Sequence, residues 1–171
     1  MLFFASAWGI LGVLAILSCA VYRLLPLALT AFHEHSFGAL EWIVLIVWMA
    51  FMIYAEGYKG FHKAFSPRVV ARARALRKRP RPLACILAPF YCFGFFYATR
   101  KRKIVSWSVA LGIVGLIVAV RFLNQPWRGI IDCGVVVGLG LGMLSILYHT
   151  LRWIAGAPSD HPADLPEPES Q

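Results

Sequence analysis

Apolar positions in this chain come in runs, not at helical or strand intervals. Leu2 to Tyr22 and Ile104 to Val120 carry no charged residue, and Gly129 to Trp153 carries only Asp132 and Arg152. Unbroken apolar runs of about 18 residues or more predict membrane-crossing helices. A further run, Leu40 to Tyr58, has an uncharged centre from Trp42 to Ala55. That centre is too short to cross about 30 Å of hydrocarbon at about 1.5 Å per residue, so the span takes in Glu41, Glu56 or both. The pattern predicts an all-α integral membrane protein with four transmembrane helices, at about 2–22, 40–58, 104–123 and 129–153. No Lys or Arg precedes the first run, and the run is longer than a signal-peptide core, so it reads as an uncleaved span. Residues 1–155 form the membrane domain. The tail, 156–171, is acidic and Pro-rich with little to bury, and is expected to be disordered.

One shorter apolar stretch, Leu83–Ala98, lies between two dense basic clusters. Sixteen helical residues reach only about 24 Å, short of a span. Pro89 at its centre removes a helical hydrogen bond, and Gly94 adds a second weak point. Charge is the stronger argument, because Lys and Arg near span ends favour the cytoplasmic side. If the stretch does not cross, 14 of the 17 Lys and Arg share one side and only Arg23, Arg121 and Arg128 lie opposite. If it crosses, the division falls to 11 against 6. Residues 83–98 are therefore predicted to be a re-entrant or interfacial element, its aromatic residues at headgroup level, with both termini cytoplasmic.

Composition adds that the chain is basic. The chain is 60 % hydrophobic and 15 % charged, with a formal net charge of +9. The segment "SPRVVARARALRKRPRP" predicts a basic amphipathic cytoplasmic helix over 66–79, with Ser66 as N-cap and Pro67 at its first position. Val69, Ala73 and Leu76 share one face, and Arg68, Arg72, Arg74, Lys78 and Arg79 surround it. Such helices lie on anionic lipid surfaces, so these five cations are the expected anionic-headgroup contacts. The helix holds no aromatic stacking residue, which argues against nucleic acid.

Candidate chemistry is sparse. The intramembrane polar candidates are Glu56, Asp132 and Arg128, the last two able to pair at i, i+4. His33 and His35 have the spacing of a transition-metal pair without the further ligands of a closed site. His149, near the inner end of the fourth span, has no evident partner histidine for haem, and no cofactor is expected. Cys19, Cys85, Cys92 and Cys133 all fall in apolar stretches and read as small buried residues. Gly134, Gly138 and Gly142 form a strip down one face of the fourth span. Gly112 and Gly115 offer small surfaces on the third span, and the short "NQPWRG" link predicts that the two spans pack against each other there. No Gly-rich phosphate loop, nucleophile elbow or His-Glu-x-x-His motif occurs.

As a class the chain is similar to small bacterial inner-membrane proteins, which implies a plasma-membrane location. The leading functional expectation is a non-catalytic accessory, assembly or scaffold module, with a basic cytoplasmic face for anionic lipid or an acidic partner. A membrane-protein partner or a homo-oligomer is compatible with this. The alternatives are a small oligomeric transporter or channel using Glu56 and Asp132, and a membrane enzyme acting on lipid headgroups.

Overall fold

The computed structural model describes residues 2–78, 82–157 and 161–165, among which there is no strand. Four helices are long and apolar enough to cross a membrane. The first is α1, Leu2–Glu34. The second runs without a break from Ala39 to Lys78. It comprises α2 (Ala39–Met52), a π-helical segment (Ile53–Phe65) and α3 (Ser66–Lys78). Two short helices follow, α4 (Pro82–Ile86) and α5 (Ala88–Phe93). The remaining spans are α6 (Arg100–Val120) and α7 (Trp127–Ile154). The chain is thus an all-α membrane protein with four helices able to span.

α7 is the axis of the bundle, with α1 on one side and α2 and the π segment on the other. It runs antiparallel to α1: Gly129 lies against Ala28 and Ala31, and Ser18 Oγ donates to Met143 Sδ at 3.3 Å. It runs parallel to the second span: Gly134 lies against Trp48 and Met52, Gly138 against Glu56, and Gly142 against the Phe61 ring. In lipid, helices gain little by hiding apolar surface from one another, so small residues that admit close approach decide who packs with whom.

The expected seam between the third and fourth spans does not form. A Cβ added to Gly112 or Gly115 would meet nothing within 4 Å. Of the residues of α6, only Ser106 and Val120 are buried. The short link makes α6 and α7 consecutive, but the bulky Trp48 and Phe61 reach into the glycine strip and fill it from the other side.

The segment 83–98 is not one of the four helices able to span. α4 and α5 are separated by a break at Leu87, and α5 ends at Gly94, whose φ of 87° is a left-handed conformation suited to glycine. Helices of five and six residues span less than 10 Å each at about 1.5 Å per residue. Both are seated on the N-terminal half of α1. Cys92 and Ala88 lie against Gly9, Pro89 lies against Gly12, and Trp8 Nε1 donates to Ile86 O at 3.2 Å.

α3 departs from the expectation of a peripheral amphipathic helix. It is wedged between α1, α5 and α7, and Val69, Val70, Ala71, Arg72, Ala73 and Leu76 are all buried. Ser66 is no N-cap: its backbone is helical (φ −60°, ψ −46°), and the helix passes through it from the π segment. Residues 161–165 lie on the bundle, with Arg72 Nη1 donating to Ala163 O at 2.9 Å and Thr99 N to Asp164 O at 3.0 Å.

Candidate functional site

The site grows from Pro67. A proline has no N–H to donate and its ring excludes the carbonyl four residues earlier. Just before it the chain is wound in the π register, with Ser66 N donating to Phe61 O. In that register the next bond would run from residue 67 to His62 O, and Pro67 cannot make it. In the α register the carbonyl left over is Lys63 O. Both oxygens are taken by histidines from elsewhere in the chain. His149 Nε2 lies 3.2 Å from His62 O, and His161 Nε2 lies 3.1 Å from Lys63 O. A carbonyl oxygen only accepts, so each ring carries its proton on Nε2.

These contacts bring the end of α7 and the tail residue His161 against the second span, and a cavity of about 400 Å³ lies between them. The π segment contributes Tyr58, His62 and Lys63, and α3 contributes Pro67, Val70 and Arg74. His149, Arg152 and Trp153 come from α7, with Ala157 and His161 beyond it. Among the described residues no carboxylate lines it. Lys63 Nζ stands 4.7 Å from the centre of the Tyr58 ring. His62 Nδ1 and Ser145 Oγ are 3.1 Å apart, and the His62 and His149 ring centres are 5.1 Å apart.

Arg72, expected on the lipid-facing side, is 1 % exposed and inside the protein. Its Nε donates to Tyr91 O at 2.7 Å, and Nη2 donates to Phe96 O at 2.9 Å and Tyr97 O at 3.1 Å. The guanidinium also lies 4.3 Å from the centre of the Tyr91 ring. Backbone at membrane depth must be satisfied inside the protein, and Arg72 does this for the carbonyls at the end of α5. Only the planar, forked guanidinium can serve several such oxygens at once.

The other expected residues scatter. Arg68 Nε donates to Ala64 O on its own helix, Lys78 is exposed, and Arg79 lies outside the described residues. Of the four described, Arg74 alone lines the cavity. Glu56 lies against Gly138, between the π segment and α7. Asp132 is buried in an ion pair with Arg128, Nε to Oδ2 3.8 Å, toward the opposite end of α7. His33 and His35 are exposed. No group of three or more His, Cys, Asp or Glu able to hold a metal occurs among the described residues.

Sequence reasoning did not assemble His62, Lys63, His149, Arg152 and His161 into one place. One signal was available: a proline inside a continuing helix frees carbonyls, and a histidine is a natural donor for them. Comparison with known proteins finds no family model, no curated protein and no solved structure that this chain matches.

Proposed function

We propose that this chain is a non-catalytic accessory, assembly or scaffold module of a plasma membrane, bacterial and inner, whose basic cytoplasmic end engages anionic phospholipid. The observation that supports this is the gathering of cations at one end of the bundle. Lys63, Arg74, Lys78, Arg100, Lys101, Lys103 and Arg152 come from four elements. No described carboxylate forms an ion pair with any of them. Each such cation near an anionic surface contributes about 1 kcal/mol, weakened by salt.

Purification in mild detergent followed by identification of the retained lipids tests the reading. Anionic phospholipids are expected to be enriched over their share of the source membrane, and the enrichment should fall as salt is raised. A retained lipid mixture that matches the bulk membrane would refute it. The transport reading would use Glu56 and Asp132, but Glu56 lies against Gly138 of α7, and Asp132, earlier on the same helix, already faces Arg128.

A further inference from the structure

We infer that the cavity between the π segment, α3 and the end of α7 is a binding site for a phosphate monoester, either the headgroup of a monoester phospholipid or the same group on a soluble molecule. The inference rests on the basic-end reading and narrows it from a charged surface to one partly open cavity.

Three cations line it from three elements: Lys63, Arg74 and Arg152. No described carboxylate lines the cavity to neutralise them. A chain that places three cations together in a partly enclosed space builds in mutual repulsion, which a bound anion relieves. A phosphate monoester carries about −1.5 to −2 charges at neutral pH and offers three acceptor oxygens, whereas a phosphodiester carries a single charge. The monoester therefore balances three cations better.

His149 and His161 each spend Nε2 on a carbonyl, which fixes both rings in the cavity wall. The cavity volume of about 400 Å³ is within the range of small-ligand sites, about 300–1,000 Å³. The indole of Trp153 and the side chain of Val70 supply an apolar wall beside the charges, suited to the part of a lipid next to its phosphate.

The test uses the full chain in nanodiscs of phosphatidylcholine, titrated with short-chain phosphatidate (monoester) or phosphatidylglycerol (diester). Bound lipids are counted by native mass spectrometry. The wild-type chain is expected to bind one phosphatidate per chain at roughly tenfold lower concentration than phosphatidylglycerol, the effect of one extra charge-assisted bond. K63Q/R74Q/R152Q is expected to lose that preference. R152Q alone, at an exposed position that leaves packing intact, should reduce it by about threefold to fivefold. R100Q/K101Q/K103Q removes as much charge from the start of α6, outside the cavity. It should weaken both lipids alike and keep the preference.

A wild-type chain that binds both anionic lipids equally, yet better than phosphatidylcholine, would overturn the cavity inference and leave the basic-end reading standing. Failure to distinguish anionic from zwitterionic lipid would overturn both. Loss of the preference in the α6 variant to the same degree as in the cavity variant would also overturn the inference. Competition by soluble glycerol 3-phosphate distinguishes the sources. Displacement of phosphatidate assigns a soluble ligand, and no displacement at millimolar concentration assigns the lipid.

Discussion

At the scale of single residues, Arg72 shows how a charge becomes part of a membrane protein's interior. Its guanidinium is held by carbonyl oxygens of Tyr91, Phe96, Tyr97 and Ala163. Removing it leaves several buried acceptors without donors, each costing about 1–3 kcal/mol. Arg72→Met is expected to lower unfolding stability by on the order of 3 kcal/mol, and Arg72→Lys to recover only part of that, because a single ammonium cannot reach all four oxygens. Thermal unfolding in detergent measures both; a lysine variant as stable as the wild type would contradict the fork geometry. Cys92 gives a second test. Burial pushes its thiol up to about 12, and it sits against Gly9. At pH 8 it should resist a water-soluble maleimide in the folded protein and react once the protein is denatured. Fast reaction in the folded state would show that α5 lifts away from α1.

At the scale of elements, the glycine strip of α7 decides packing. A Cβ on Gly142 would come within 2.5–2.7 Å of the Phe61 ring, whereas one on Gly112 would meet open space. Gly142→Leu is therefore expected to force α7 from the π segment and lower folded yield severalfold, by an overpacking cost of about 1–3 kcal/mol. Gly112→Leu should leave yield unchanged. Monodisperse yield in size-exclusion chromatography compares them, and equal yields would remove the packing role of the strip. The π segment belongs to the same scale. It brings Gly57 against Leu141 and leads into Pro67, whose missing donor leaves two carbonyls for histidines of α7 and the tail.

At the scale of the whole molecule, directions follow from contacts. α1 and α2 run opposite ways on either side of α7, and α4 and α5 stay at the end where α1 begins. The function proposed above, with the positive-inside rule, has the basic end on the cytoplasmic side. In a chain stripped of native cysteines, Ser36→Cys in the α1–α2 link is expected to label from outside intact cells, and Lys103→Cys is expected to remain unlabelled. Strong external labelling at position 103 would mean that 83–98 crosses after all, and the two short helices would have to be abandoned.

Much of this was legible along the chain. The length of an apolar run reports the cost of placing backbone in hydrocarbon, so the four spans stand out from Leu2, Leu40, Ile104 and Gly129 onward. Pro89 and Gly94 marked 83–98 as a segment apart from the four spans, because helix continuity is a local quantity. The tertiary structure decided the rest. A helical wheel places Arg72 beside Arg68 and across from Arg74, and cannot tell which of them finds carbonyls within reach. Link length makes α6 and α7 consecutive, yet the side chains that fill the α7 glycines come from Trp48 and Phe61, more than 60 residues earlier. Hydropathy and periodicity record each residue's preference for lipid or water. Which distant donor meets which freed carbonyl depends on how the helices pack, and that is what placed His149 and His161 beside Pro67.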